Sequence, residues 1–226
     1  ELLRQGLSYG RSELDRLGAP VGYYLQSDIE RIPDSVKVLV LVNPYVLTKS
    51  SLLDIGRFLS RGMTVVWTCA PGVVGPEGVD WARIGEVTGI TVEARSDATA
   101  LRVTALPVQG EADLSALKGL PCTVVTDSEA QPLAKYAESG EVCVAAKPWR
   151  GGTSVYTSVP RMPVALLRWI CERSGVFFYR DTPGHLAVAG PYLVVHTDAA
   201  ERVKLRWPMP LRAVDRRRSA QSAKVV

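Results

Sequence analysis

The chain has 226 residues, 46% of them hydrophobic and 22% charged, enough to bury the core of one large domain with a small appendage and too apolar for a long disordered or collagen-like tract. Its net charge of +4 sits in the last fifteen residues, where Arg212, Arg216, Arg217, Arg218 and Lys224 face Asp215 alone. A single terminal run is not the interleaved basic face of a nucleic-acid binder, and no apolar stretch approaches the ~20 residues that span a bilayer, so neither nucleic acid nor membrane is an expected partner. Glu1 stands where a Met would open a full reading frame, so the chain reads as processed or as a piece of something longer. Cys69, Cys122, Cys143 and Cys171 are far apart and only His185 and His196 are available to help them. That spacing predicts reduced thiols and no metal site; no cofactor is expected, and the compartment stays unknown, with the cytoplasm favoured.

In chain order, Leu3, Leu7, Leu14 and Leu17 recur at helical spacing before Gly18, which predicts a first helix. Val21 to Leu25 has strand composition, and Val36 to Val42 is an almost unbroken Val/Leu run interrupted by Lys37, as in a strand covered on both faces. Thr48 to Arg61 predicts a helix with Leu52, Ile55, Phe58 and Leu59 inward, Thr48, Ser50 or Ser51 as caps, and Gly62 as terminator. Met63 to Cys69 returns to strand composition, giving a strand–helix–strand unit with parallel strands and an α/β fold class.

A short helix is expected over 79–87 and a strand over 90–95, followed by an antiparallel insertion built from 98–106, 122–127, 133–137 and 141–146, with Ser139-Gly140 as a hairpin turn. Thr153 to Val159 reads as a strand, and Pro163 opens a helix with Val164, Leu167, Ile170 and Cys171 on one stripe up to Gly175. Beyond it everything reads as strand: 176–179, 186–189, 192–197, 203–207 and 211–214. The boundaries that follow are an α/β domain over 1–175, a small antiparallel β domain over 176–215 and a disordered basic tail over 216–226.

The order of these pieces resembles the class I glutamine amidotransferase-like, or trimerisation, domain of family 42 β-galactosidases and related glycoside hydrolases. Leu17 to Leu25, Val40 to Tyr45, Gly62 to Trp67 with Pro71-Gly72, Gly151 to Tyr156, Pro163 to Arg168 and Ser174 to Val176 carry the likeness. The resemblance implies a flavodoxin-like three-layer sandwich followed by a small C-terminal β domain. It also implies an oligomer, and an upstream TIM barrel that supplies both catalytic glutamates, so that the chemistry is absent from this chain.

An amidotransferase needs a thiolate on a tight strand-to-helix turn between glycines, and the family's word is Gly-x-Cys-x-Gly. Here Cys69 falls near the nucleophile's place, but Trp67 and Pro71 stand where the glycines belong. The family's His-Pro-Glu base matches Ser158-Val159-Pro160-Arg161, without histidine or glutamate, and His185 and His196 lie in the terminal β segment. No catalytic residue is therefore assigned. Asp28, Asn43, Tyr45, Thr68 and Cys69 stand at or beyond the carboxyl ends of expected strands, where α/β sheets place ligand crevices. They are candidate ligand-lining residues, with turn-forming and capping as the plainer alternative. Tyr45 and Trp67 are candidate sugar-stacking aromatics, with packing as theirs. Gly151-Gly152 precedes a strand and reads as a turn; Glu111 and Asp113 read as solvated acids in a connector.

The expected function is a non-catalytic accessory and oligomerisation domain of a β-galactosidase-like glycoside hydrolase, partnered by the barrel and by further copies of itself. The alternatives are a carbohydrate-binding module and a free-standing amidotransferase-like hydrolase using Cys69.

Overall fold

The computed structural model describes residues 5–95, 102–113, 122–190, 192–197 and 202–208. A π-helical turn, Gln5–Gly10, runs into the short helix α1, Arg11–Asp15, and Gly18 then turns the chain at φ +78°. A 3-10 turn over Gln26–Arg31 precedes β1, Val38–Leu41, and α2, Lys49–Ser60. Thr48 caps α2 by accepting from the Ser51 amide at 3.1 Å, and Gly62 takes φ +79° just past its end, which is what the sequence spacing requires.

β2, Thr64–Thr68, lies parallel to β1 with Val38 opposite Thr64 and Leu41 opposite Trp67. The small hairpin β3–β4, Val74–Gly75 and Gly78–Val79, leads to α3, Arg83–Thr88, which ends on left-handed Gly89. β5, Val92–Arg95, β6, Arg102–Ala105, β7, Glu111–Asp113, β8, Cys122–Val125, β9, Gln131–Tyr136, and β10, Val142–Trp149, pair antiparallel with one another; β8, β9 and β10 fall where the antiparallel insertion is expected, β6 lies in the described part of 98–106, and β7 is a strand where a polar connector is expected. β11, Gly152–Thr157, and α4, Val164–Arg173, resume the first pattern, and β12, Leu186–Ala189, pairs with β13, Tyr192–Val195.

Seven strands form one mixed sheet in the order β1-β2-β11-β10-β9-β6-β7. β2 lies between β1 and β11, parallel to both; every pairing beyond β11 is antiparallel. The fold is α/β, with few helices and a sheet only partly parallel.

Alternation along the parallel strands divides the interior in two. Val66 and Val155 join Leu166, Leu167 and Ile170 of α4 and Leu14 of α1 on one face. Val65, Trp67 and Tyr156 join Ile55, Phe58 and Leu59 of α2 and Ile84 of α3 on the other. All five residues of β2 are buried, which is why its sequence is apolar throughout instead of alternating. The β10–β11 turn brings Gly152 so close to the Met63 and Leu59 carbonyls that a Cβ there would collide with backbone. A glycine is required at that position.

Three expected strands are not strands. Residues 21–25 form no ladder, and Tyr23, Tyr24 and Leu25 are exposed, Leu25 at 72%. β-propensity without a neighbouring edge does not make a strand. Residues 176–179 are likewise unladdered; the Tyr179 amide donates to the Gly18 carbonyl at 3.0 Å, tying this segment to the N-terminal loop. In 203–207 only Leu205 pairs, with Arg180. The expected strand at 211–214 and the tail at 216–226 lie outside the described residues.

Candidate functional site

At the carboxyl ends of β1 and β2 the chain twice enters the left-handed region without glycine, at Asn43 (φ 51°) and Cys69 (φ 60°). Asparagine tolerates this conformation, while a cysteine held there stores strain and needs surrounding bonds to fix it. Thr68 Oγ1 accepts the Asn43 amide at 2.9 Å and donates to the Leu41 carbonyl at 3.0 Å, clasping the two strand ends together. The Cys69 amide donates to the Thr157 carbonyl at 2.7 Å, and its own carbonyl accepts the Tyr156 hydroxyl at 2.7 Å. Tyr45 donates to Asn43 Oδ1 at 3.3 Å, and its hydroxyl also meets the Cys69 thiol. Thus Asn43, Tyr45, Thr68 and Cys69 do come together. Asp28 belongs to the 3-10 turn instead, where it pairs with Arg31 at 3.5 Å.

The electrostatics of this corner oppose nucleophilic chemistry. Burial pushes the Cys69 thiol up to about 12, and the Tyr45 hydrogen bond pulls it back only in part. Tyr45 is itself raised, first by burial and then by the neighbouring sulfur. A reactive cysteine needs a cation, an imidazole or a helix N-terminus to depress its pKa, and among the described residues none of these acts on Cys69. His185 and His196 face each other, with ring centroids 6.2 Å apart, at the end of the β12–β13 hairpin. Ser158, in the place expected for a base, is a buried link between the Tyr136 hydroxyl, 2.8 Å away, and the Cys143 carbonyl at 3.0 Å.

The turn itself is also wrong for such chemistry. Residues 70–72 lead from Cys69 into the β3–β4 hairpin, not into a helix, so no helix N-terminus points amides at the sulfur. Trp67 is 1% exposed and donates Nε1–H to Ser154 Oγ at 3.0 Å, which removes it from sugar stacking and makes it a core residue. The hollow under the strand ends, lined by Val40, Val42, Thr68, Thr157 and Leu167, measures about 30 Å³. That is room for a water or two, not for an amide substrate.

A larger concavity opens beside it, missed by reading acids and bases one segment at a time. Glu13 and Arg16 from the N-terminal helical segment, Glu111 from β7, and Arg161 from the loop before α4 border a pocket of about 250 Å³. Glu13 and Arg161 form an ion pair at 2.7 Å, with the Glu13 side chain 14% exposed. Glu111 is exposed, as a solvated acid should be, but it stands in a strand at the rim of this pocket and not in a connector. The i, i+3 spacing of Glu13 and Arg16 was the available signal; the approach of Arg161 across 148 residues had none. Among the described residues, no group of three or more His, Cys, Asp or Glu side chains could hold a metal ion, and no helix is long and apolar enough to cross a membrane.

No family model matches the chain, and no curated protein does. Solved structures do resemble it. A β-galactosidase from the Antarctic haloarchaeon Halorubrum lacusprofundi aligns at a TM-score of 0.59 and 16% identity, over 82% of this chain and 28% of that one. A catalytic mutant of a GH42 β-galactosidase from G. stearothermophilus aligns at 0.58 and 14% identity, over 81% of this chain and 28% of that one. The fold is thus that of a segment of these enzymes, and the chain spans little more than a quarter of their length.

Proposed function

We propose that the chain is a non-catalytic accessory domain of a β-galactosidase-like glycoside hydrolase, one that helps to assemble subunits and to wall the substrate pocket of an upstream TIM barrel. The observation that carries this reading is the asymmetry of the structural likeness, which takes in four-fifths of this chain and under a third of the enzymes it resembles. A buried thiol with no base beside it among the described residues supports the non-catalytic half of it. In this reading residues 1–175 are a flavodoxin-like, amidotransferase-like sandwich, supported by the three parallel strands with helices packed on both faces. Residues 176–215 are the small β domain, supported by a β12–β13 sheet separate from the main one.

Exposed apolar side chains support the assembly role. Leu25, Val46, Val74 and Val79 all face solvent. They are linked through the Gln26 bond to the Val46 carbonyl, the Val74 amide bond to the Tyr45 carbonyl, and the Val74–Val79 pairing. Exposed apolar side chains on neighbouring segments are what an interface between copies would bury. Sedimentation of the chain at high micromolar concentration is expected to show an oligomer that Val46→Lys with Val79→Lys converts to a monomer. A monomer whose state these substitutions do not alter overturns the assembly role.

A further inference from the structure

We infer that the pocket bordered by Glu13, Arg16, Glu111 and Arg161 is a binding site for a neutral, single-ring sugar. Its volume of about 250 Å³ is many times what one water needs, yet below the ~300 Å³ at which clefts for drug-sized ligands begin. The occupant is therefore one ring, not a chain of them. Its charges also select. Arg16, Arg161, Glu13 and Glu111 all line the same space, with Glu13 and Arg161 paired to each other, so an anion meets Glu111 beside Arg16 and a cation meets Arg16 beside Glu111. A neutral ligand rich in hydroxyls satisfies both kinds of group, because each hydroxyl donates to a carboxylate and accepts from a guanidinium.

The remaining walls suit the rest of such a ring. Met162, Pro163 and Pro183 supply apolar surface against which the C–H face of a pyranose packs. Part of the polar wall is already organised: Arg161 is held by Glu13 at 2.7 Å, which reduces the ordering cost of binding. Arg16, by contrast, has no ion pair among the described residues and is exposed, so its fork is available. Four separate chain segments contribute to this wall, which is how a positioned site differs from a charged helix face.

The site does not depend on the accessory-domain reading, since a lone chain presents the same pocket whether or not it assembles. Titration of the full chain with D-galactose and D-glucose, followed by calorimetry and by amide NMR shifts, is expected to give a saturable dissociation constant on the order of millimolar for at least one hexose. Arg16→Ala and Glu111→Gln are expected to weaken it about tenfold or more, with thermal unfolding of both variants unchanged because both side chains are exposed. Galacturonate, the charged counterpart, is expected to bind more weakly than galactose. Absence of saturation by either hexose, retention of affinity in both variants, or tighter binding of galacturonate would each overturn the assignment, and none of these bears on oligomeric state.

Discussion

The two ends of the main sheet are built on different principles. At one end β1, β2 and β11 run parallel, are covered on both faces and are clasped by Thr68, Tyr156 and the Trp67–Ser154 bond. At the other, β9, β6 and β7 form an antiparallel ribbon whose edge, β7, buries only Ala112 of its three residues. In the first region the central strand β2 is buried throughout, whereas in the second β6 and β9 still bury Val103, Leu133, Ala134 and Tyr136 and only the edge strand β7 is held mainly by its pairing. A perturbation inside the parallel trio should therefore be felt globally, and one on a peripheral strand locally.

Trp67 is the point at which the parallel half is most vulnerable to a single substitution. Trp67→Ala removes the largest fully buried side chain and orphans the Ser154 hydroxyl as a donor target. A loss of about 3–5 kcal/mol in denaturant titration is expected, and a loss under about 1 kcal/mol would show that the parallel trio is not the cooperative centre.

Alkaline pH tests the same interior more gently. Cys69 and Cys171 are both raised from 9.0 to about 12, chiefly by burial. Between these values the folded protein keeps protons that the unfolded chain has released, so stability is full below pH 9 and falls as pH rises toward 12. By about pH 10.5 roughly 2 kcal/mol per buried thiol should be gone, read as a falling denaturant midpoint, and Cys69→Ala should flatten part of the slope.

The smallest effects sharpen the contrast. Thr48→Ala deletes the α2 cap and should lower stability by about 1 kcal/mol. Tyr192→Ser on the β12–β13 hairpin, where the ring is 63% exposed, should change it by less than about 0.5 kcal/mol. Equal losses from the two would place the hairpin in the same cooperative unit as the sheet.

The parallel half was legible in the sequence because its signals are local. The Val36–Val42 and Thr64–Thr68 runs, the Thr48 cap and the Gly62 stop each announce an element within a few residues of themselves. Val21–Leu25 and Val176–Tyr179 misled because strand composition cannot specify which edge, if any, will accept a ladder. The strand-end cluster was half visible: Asn43, Tyr45, Thr68 and Cys69 do meet, as the ends of neighbouring parallel strands must, whereas Asp28 depended on a strand that does not form. The pocket was not visible at all. Arg161 reaches Glu13 only because α1 and α4 pack on one face of the sheet, and that adjacency is a property of the fold, not of any segment.

Trp67 packs in the core one residue before Thr68, which ties β1 to β2, and two before the bent cysteine. A gain of thiol catalysis at this corner by single substitutions thus meets an obstacle of sequence of events. Replacing the indole with glycine to loosen the bend would hollow out the interior before any new reactivity appeared, so the intermediate variant would be the one least able to stay folded. The corner is mechanically committed, and new chemistry in this protein has an easier path on the open rim around Arg16 than on the buried sulfur of Cys69.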